Sequence, residues 1–292
     1  MKIYMFGIRV YYQIMGRINP KLASERAFRL FQRTRNLKFK KRELAFYQKA
    51  HHFTARSSVR DINCYEMGDP NGPLVFLVHG WESNAGSMAG IGYKMADKGF
   101  HVVSMDLSAH GHDNHSHTNL FECKEALLDV IDRVWPSKPF SVISHSFGSA
   151  VTTFALSERD FKIDQLIYLT SPNELSAIFE YFKDLIHLPQ KPFELIIEKV
   201  NRMFGEGIVN LTVQEKAKEI NYNHLTMIHD KNDKVLPYIY SQKISNYLPR
   251  TELYTLENAG HYRMLWNDEV HNRISLQFPE AKQIKVSIAQ SA

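Results

Sequence analysis

From about Ile62 onward the chain alternates short apolar runs with segments of helical spacing, and this alternation restricts the fold more than any other feature. The runs occupy residues 74–78, 101–105, 140–143, 166–169, 225–228 and 252–255. Each run is continuous and most are rich in Val, Ile, Leu and Tyr, which is typical of strands buried on both faces. The pattern predicts an α/β protein with a mostly parallel, doubly wound sheet. Residues 60–67, followed by a turn-forming segment, predict an antiparallel strand at its edge.

Two segments interrupt the alternation. Residues 172–224 separate two predicted strands by about fifty residues, which is longer than a crossover needs, and their apolar residues recur at helical spacing. We interpret them as a small helical cap inserted into the sheet domain. The N-terminal segment is helical in pattern as well. The predicted division is a basic helical leader (1–55) on or beside the body, a sheet core in two parts (56–171 and 225–280), the cap (172–224), and a C-terminal tail (281–292).

Charge is distributed unevenly along the 292 residues. Residues 1–60 contain 15 Lys and Arg but only two acids, a balance of +13, whereas the rest of the chain carries −8. Within residues 21–35, Leu22, Phe28 and Phe31 are interspersed with arginines. Such a leader packs on the acidic body, with its arginines meeting acids, or it contacts an anionic bilayer. We favour the first arrangement and leave peripheral membrane contact open.

Composition excludes several classes of protein. Cys64 and Cys123 are too few for a disulfide framework or a cysteine-based zinc site. No apolar run reaches the roughly 18 residues of a spanning helix. The apolar start is interrupted by Arg9 and Gln13 and lacks a small-residue cleavage site, so we do not interpret it as a signal peptide. We therefore expect a cytoplasmic protein. No recognised nucleic-acid-binding module accompanies the basic leader, so nucleic acid is not an expected partner.

The strongest local motif follows the predicted strand at 140–143. Residues 144–150 are Ser-His-Ser-Phe-Gly-Ser-Ala and lead into a helical segment. This pattern matches the G-x-S-x-G nucleophile elbow, with Ser144 in the place of the first glycine. Small residues are needed there because the nucleophile sits in a strained turn between strand and helix. Ser146 would then lie at the N-terminus of a helix, whose dipole favours developing negative charge.

A second motif, His-Gly-Trp at 79–81, follows the first of the predicted parallel strands. Together with the serine motif, it makes residues 60–280 resemble the α/β-hydrolase superfamily, in particular its serine hydrolases and esterases. The resemblance implies that the backbone N–H groups of Trp81 and Phe147 form an oxyanion hole. We interpret His79 as a structural residue that supports this loop.

In the same family the acid and then the base follow the serine along the chain. Asp233 stands in the turn after the strand at 225–228, and His261 stands just past the strand at 252–255. The resemblance implies that Asp233 is the acid and His261 the base, with Asp230 as the alternative acid. In such a triad the histidine takes the proton of the serine hydroxyl, and the carboxylate orients the imidazole.

Histidines also cluster at 110–117, where the sequence is His-Gly-His-Asp-Asn-His-Ser-His. The order nearly matches a His-x-His-x-Asp-His metal motif, but the acid stands one place out of step. The α/β-hydrolase pattern has an Asp and then a His-Gly turn here, which Asp106 and His110 match, while His115 and His117 stay unassigned. We expect a solvated loop near the mouth of the site and no metal.

The sequence thus predicts a carboxylesterase-like serine hydrolase that acts through an acyl-enzyme on Ser146 and needs no cofactor. Its partner would be a small-molecule ester or acyl substrate, with aromatic residues of the cap lining an apolar acyl pocket. Thioesterase, amidase and acyltransferase chemistry would use the same residues. A non-catalytic binding protein of this fold is the alternative from a different class.

Overall fold

The computed structural model describes residues 2–35 and 37–279, so the tail predicted at 281–292 lies outside the described residues. The N-terminal part comprises α1 (Lys2–Ile18), α2 (Pro20–Phe31), α3 (Lys41–Lys49) and β1 (His51–Ala55). The chain continues with β2 (Ile62–Gly68), β3 (Leu74–Val78), α4 (Ala89–Asp97), β4 (His101–Met105), α5 (Leu120–Val134), β5 (Phe140–His145), α6 (Phe147–Leu156) and β6 (Lys162–Leu169). An inserted region follows with α7 (Leu175–Ile186), α8 (Gln190–Phe204) and α9 (Val213–Ala217). The last elements are β7 (Asn221–Asp230), α10 (Ile239–Tyr247), β8 (Thr251–Leu256) and α11 (Asp268–Leu276).

The strands form one sheet in the order β1-β2-β4-β3-β5-β6-β7-β8. Strands β3 to β8 run parallel, whereas β1 pairs with β2, and β2 with β4, in antiparallel fashion. The predicted fold class is confirmed. The prediction that residues 60–67 form the edge strand is wrong, because β1 covers the outer side of β2. Polar residues dominate β1, so the sequence gives no apolar alternation by which to recognise it.

Successive residues of each strand point to opposite faces of the sheet, and helices cover both faces. In β3, Phe76 and Val78 belong to a core under α5, α6, α9 and α10. Val75 and Leu77 belong to a second core under α4 and α11. Both faces of the central strands are therefore dry, which explains why their sequences are continuously apolar.

Asparagine side chains cap α2 and α5, two helices that contribute residues to the cavity described below. The side chain of Asn19 accepts the N–H of Leu22 at 3.0 Å, and Pro20 starts α2 with a backbone angle already suited to a helix. The side chain of Asn119 accepts the N–H of Glu122 at 3.0 Å at the start of α5. These caps fix where the two helices begin.

Helices α1 and α2 pack on the inserted helices rather than lying apart from them. Their buried side chains share one apolar cluster with α6 and the insertion, which includes Tyr12, Ala27, Phe28, Phe154, Phe179, Phe193, Ile196 and Val200. We expected the leader's arginines to meet acids of the body. Within the described chain, Arg35 alone of the four arginines between residues 26 and 35 forms such a pair, its Nε lying 2.8 Å from a carboxylate oxygen of Glu82. Apolar contact is the main attachment of α1 and α2.

Candidate active site

The turn between β5 and α6 has the geometry of a nucleophile elbow. Ser146 adopts φ 54° and ψ −123°, a region that non-glycine residues rarely occupy. Gly148 is required by close approach, because a Cβ there would lie 2.4 Å from the carbonyl oxygens of Val78 and His79. The missing side chain lets α6 approach the end of β3, and the strained turn presents the hydroxyl of Ser146 at the carboxyl edge of the sheet.

Ser144 replaces the first glycine of the motif without disturbing the turn. Its side chain is fully buried, and its hydroxyl lies 3.2 Å from Oγ of Ser149 and 3.4 Å from the carbonyl oxygen of Ile167. A hydroxymethyl group is small enough for the site and finds polar neighbours there, so its burial leaves no unsatisfied group.

The structure brings Ser146, His261 and Asp233 together in one hydrogen-bonded chain. Nε2 of His261 lies 3.0 Å from Oγ of Ser146, and Nδ1 lies 2.7 Å from Oδ2 of Asp233. An ionised carboxylate can only accept a hydrogen bond, so Nδ1 of His261 carries a hydrogen and donates it to Asp233. Nε2 is then free to accept the hydrogen of the Ser146 hydroxyl.

Asp233 is held by more than the imidazole. Its side chain is fully buried, and its other oxygen accepts the backbone N–H groups of Val235 at 2.7 Å and Leu236 at 3.1 Å. Burial by itself would raise the pKa of this carboxyl group. The hydrogen bond and charge of His261, together with the two N–H groups, outweigh burial, and the pKa is lowered. The group is therefore ionised at neutral pH.

Asp230, the alternative acid, contacts backbone instead of the imidazole. One of its oxygens accepts the N–H of Asn232 at 2.8 Å, and the other accepts the N–H of Gly260. Gly260 directly precedes His261, so Asp230 ties the turn after β7 to the loop after β8. Its place is that of a residue that positions the histidine.

Trp81 and Phe147, the two residues predicted to form an oxyanion hole, lie beside Ser146. Their rings meet edge to face with centroids 5.2 Å apart, and both line the same cavity as Ser146. A Cβ on Gly80 would lie 3.1 Å from Cβ of Ser146, so the loop that carries Trp81 passes close to Ser146. Among the described residues, neither of the two backbone N–H groups donates a hydrogen bond. Both are available to an acceptor that enters the site.

Two buried histidines support the loops around Ser146: His79 contacts the loop that carries Trp81, and His145 contacts the loop that carries His261. Nε2 of His79 accepts the N–H of Leu107 at 3.0 Å, so its proton is on Nδ1, which donates to the carbonyl of Gly80 at 2.7 Å. Nε2 of His145 donates to the carbonyl of His261 at 2.9 Å. Burial is the main cause that lowers the pKa of each imidazole to about 3, and electrostatic interaction with a neighbouring histidine, His110 beside His79 and His261 beside His145, lowers it further. The structural interpretation of His79 fits this contact. The role of His145 was missed, although its place between the serines of the elbow pointed to it.

The histidine-rich loop is organised around a buried acid. The side chain of Asp106 accepts the hydroxyl of Tyr47 at 2.9 Å and the N–H groups of Ala85 at 2.8 Å and His112 at 3.0 Å. Tyr47 lies on α3, so this carboxylate also links the N-terminal part to the core. Among residues 2–35 and 37–279, no group of three or more His, Cys, Asp or Glu side chains is arranged to hold a metal ion.

His115 and His117 lie on the exposed side of that loop. Nδ1 of His115 is 2.6 Å from Oδ1 of Asp113, and Nδ1 of His117 is 3.0 Å from Oγ of Ser116. Both contacts are local and lie outside the cavity described next.

An apolar cavity of about 240 Å³ opens beside Ser146. It is lined by side chains from three parts of the chain: Phe28 and Phe31 from α2, Leu175, Ile178, Phe179, Val200, Met203 and Phe204 from the insertion, and Trp81, Thr118, Asn119, Leu120, Phe121, Ser146, Phe147, Ala150, Pro172 and Leu236 from the core. The expectation that cap aromatic residues face the site agrees with this lining. The contribution of α2 was missed, since nothing local in residues 20–31 indicates a partner so distant in sequence.

This sheet order and the serine elbow define a protein of the α/β-hydrolase class. Residues 69–218 match the family model described as "Serine aminopeptidase, S33" (Hydrolase_4), and the chain belongs to this family of hydrolases. The match includes Ser146 and ends before Asp233 and His261.

The chain is also similar to a human protein and to solved esterase structures. The human "Serine hydrolase-like protein" is 30% identical over 108 residues, which cover 36% of this chain and 53% of that protein. The match thus spans about half the length of this relative. The esterase Est1E of Butyrivibrio proteoclasticus, solved with bound ferulic acid, has a TM-score of 0.60 at 19% identity and covers 77% of this chain and 98% of its own. The Pyrococcus furiosus esterase Pf2001 has a TM-score of 0.61 at 19% identity, covering 84% and 96%. At such identities these two structures show the fold alone.

Proposed function

We propose that this protein hydrolyses carboxylic esters that carry an apolar acyl group, through an acyl-enzyme on Ser146. One observation carries the proposal: the hydroxyl of Ser146 lies 3.0 Å from Nε2 of a histidine paired with a buried carboxylate, at the opening of an apolar cavity. A buried hydrogen-bonded chain of this kind is what activates a serine as a nucleophile.

In the proposed reaction His261 takes the proton of Ser146 as its oxygen attacks the ester carbonyl. The carbonyl oxygen gains negative charge and accepts the N–H groups of Trp81 and Phe147. His261 then gives its proton to the departing alcohol, which leaves the acyl group on Ser146. A water molecule, deprotonated by the same imidazole, releases the acid and restores the hydroxyl. Asp233 keeps the imidazole in the required tautomer throughout and stabilises its charged form.

The lining of the cavity bears on the substrate. A peptide presenting a free N-terminal ammonium group requires an anionic or densely polar subsite, because a buried unpaired charge is costly. The lining residues include no Asp or Glu, and the polar side chains among them are Thr118, Asn119 and Ser146. The chemistry of this cavity therefore favours an uncharged apolar acyl group over the substrate that the family description names. Its volume is below the roughly 300–1,000 Å³ of pockets for drug-sized ligands, which favours a short or medium chain.

A fluorophosphonate probe tests the nucleophile directly. We expect the folded protein to be labelled at Ser146, the variant Ser146→Ala to remain unlabelled, and Ser157→Ala to be labelled like the wild type. Ser157 is a suitable control because it ends the same helix and, among the described residues, its hydroxyl donates only to the carbonyl of Phe154, one helical turn earlier. An unlabelled wild-type protein with an intact fold would contradict the proposal.

A panel of substrates distinguishes the remaining chemistries. Matched acyl groups presented as p-nitrophenyl ester, thioester, anilide and aminoacyl anilide should give the highest kcat/KM for the ester. A preference for the thioester or anilide would reassign the protein to thioesterase or amidase chemistry. Faster acyl release with added alcohols than with water would indicate an acyltransferase. Binding of apolar acyl compounds without turnover of any of them would favour the non-catalytic alternative.

A further inference from the structure

Helix α1 is apolar on nearly all sides. Its 17 residues include three basic residues and no acid. A helix with this composition is normally buried all round. Here one side packs inward, where Tyr12 is 4% exposed and Ile8 and Tyr11 contact the apolar cluster shared with the insertion. The other side has no such cover among the described residues.

That other side forms a continuous apolar stripe, which we call the α1 stripe. It consists of large side chains at intervals of four residues: Phe6, Val10, Ile14 and Ile18, which are 68%, 39%, 52% and 73% exposed. Side chains four apart lie one above another on a helix, and four of them extend along most of its length. Isolated exposed apolar residues need no explanation, but a row of four on one element indicates a binding surface.

The inward side of α1 is fixed, so the stripe cannot turn away from solvent. Arg9 donates from Nε to the carbonyl of Leu185 at 3.0 Å, and the amide of Gln13 donates to the carbonyl of His187 at 2.6 Å. A Cβ on Gly16 would lie 2.7 Å from the ring of Pro189, which shows how closely α1 approaches the insertion. These contacts hold the helix in one rotation about its axis.

Exposed basic residues lie on α1 and on the helix that follows it. Arg17 and Lys21 are exposed at the junction of α1 and α2, and Arg26 and Arg29 are exposed along α2. Arg17 stands between Ile14 and Ile18 in the sequence of α1, so cations lie at the C-terminal end of the apolar stripe, and residues 1–60 as a whole carry a balance of +13. This is the chemistry of a helix that lies in the headgroup region of an anionic bilayer, with its apolar side chains inserted and its cations near lipid phosphates and carboxylates.

We propose that the α1 stripe docks the protein on an anionic membrane surface, with α1 in the plane of the interface. No helix in the described part of the chain is long and apolar enough to cross a bilayer, and α1 itself is about 25 Å long. Docking through α1 also brings the cavity wall near the lipid, because α2 follows after Asn19 and contributes Phe28 and Phe31 to that wall.

Vesicle sedimentation tests the docking. The full chain is mixed with vesicles of phosphatidylcholine alone and of phosphatidylcholine with phosphatidylserine. We expect binding that is strongest with phosphatidylserine and that weakens, without vanishing, in about 0.5 M salt, because the charge contribution is screened and the apolar contribution is not. The variant Phe6→Gln/Ile14→Gln should bind the anionic vesicles at least about tenfold more weakly.

Matched controls separate docking from general effects. Val209→Gln/Leu276→Gln removes two apolar side chains that are even more exposed, at 72% and 76%, from other surfaces, and should bind like the wild type. Ser146→Ala should also bind like the wild type, so a failure of the proposed chemistry would not affect this result. The proposal would be overturned if the wild type bound neither kind of vesicle, or if the control variant lost as much affinity as Phe6→Gln/Ile14→Gln. A third outcome would also overturn it: the wild type does not bind vesicles but dimerises with rising concentration, and Phe6→Gln/Ile14→Gln abolishes the dimer. A second copy of the chain would then cover the α1 stripe.

Discussion

The ring of Phe31 on α2 lies 4.5 Å, centroid to centroid, from the ring of Phe179 on α7. The same Phe31 ring also meets Phe182 edge to face at 5.1 Å. Because Phe31 and Phe179 both line the cavity beside Ser146, the N-terminal helices and the insertion form one wall of the proposed acyl site. Removing the N-terminal helices would therefore change the site and not only the attachment of the protein.

Replacing Phe31 should alter the preference for acyl chain length. Phe31→Ala removes a half-buried ring from the cavity wall, so we expect kcat/KM to shift toward longer or branched acyl groups and stability to fall by about 2 kcal/mol. Ester chain-length series and urea unfolding measure the two effects. Tyr181→Ala removes an exposed ring from α7, the helix whose Phe179 contacts Phe31, and should change neither the chain-length preference nor the stability. An unchanged chain-length profile in Phe31→Ala would show that this wall does not contact substrate.

Replacing the acid of the proposed triad should reduce turnover without unfolding the protein. The amide of Asp233→Asn has no negative charge with which to stabilise the protonated imidazole, and it favours the wrong tautomer of His261. We expect kcat for a p-nitrophenyl ester to fall by about 10⁴-fold. A fall of less than about tenfold would mean that Asp233 is not the acid.

Asp230 should affect the reaction only by positioning His261. Asp230→Ala releases the N–H of Gly260, so His261 should shift by a fraction of an ångström and kcat should fall by about 10- to 100-fold. Labelling by the fluorophosphonate should slow yet proceed, and kcat should fall more than KM rises. Complete loss of labelling with an intact fold would instead assign Asp230 a direct role in proton transfer.

The buried neutral histidines should make stability sensitive to mild acid. His79 and His145 have an ordinary pKa of 6.5 and a folded-state pKa of about 3, so the unfolded chain binds protons that the folded chain does not. Their contribution is complete above pH 6.5 and is lost as pH falls toward 3. Between pH 6.5 and about 4.5, protonation of each of these histidines in the unfolded chain should lower the free energy of unfolding by about 2 kcal/mol.

Urea unfolding at several pH values checks this prediction. The variant His145→Asn keeps a hydrogen-bond donor but does not titrate, so its unfolding free energy should decline less steeply with acid. His187→Asn, at an exposed left-handed position that suits asparagine, should decline like the wild type. Identical slopes for wild type and His145→Asn would refute the assignment of a neutral buried His145.

Glycine at 148 should be irreplaceable. Gly148→Ala places a methyl group 2.4 Å from two carbonyl oxygens, and we expect a loss of about 1–3 kcal/mol with displacement of the serine turn. Gly207→Ala is the control, because a Cβ there meets its first neighbour at 3.9 Å and the backbone has φ −70°. Equal stability of the two variants would contradict the close approach of α6 to β3.

Local patterns were sufficient to predict the central sheet. Strands β3 and β4 have the bounds expected from their apolar runs, because burial on both faces leaves a continuous signal. Ser146, Asp233 and His261 could be grouped in advance through the resemblance to the α/β-hydrolases, and each follows a strand of one parallel sheet, whose carboxyl ends share an edge.

The remainder depended on contacts that leave no local trace. Strand β1 is polar and outermost, so neither periodicity nor β propensity marks it. The role of Phe28 and Phe31 in the cavity depends on helices about 150 residues further along the chain. The contact of Asp230 with Gly260 likewise joins two loops that only the folded sheet brings together.

The pairing of α1 with the end of α7 also constrains how the chain is made. Arg9 and its partner Leu185 are 176 residues apart, so the ribosome completes most of the sheet before the insertion is available to cover the inner side of α1. Until then both apolar sides of this helix face water, and partly made chains of this type tend to associate. A chaperone or a lipid surface that holds α1 during synthesis would therefore have its largest effect before residue 185 has emerged, and little afterwards.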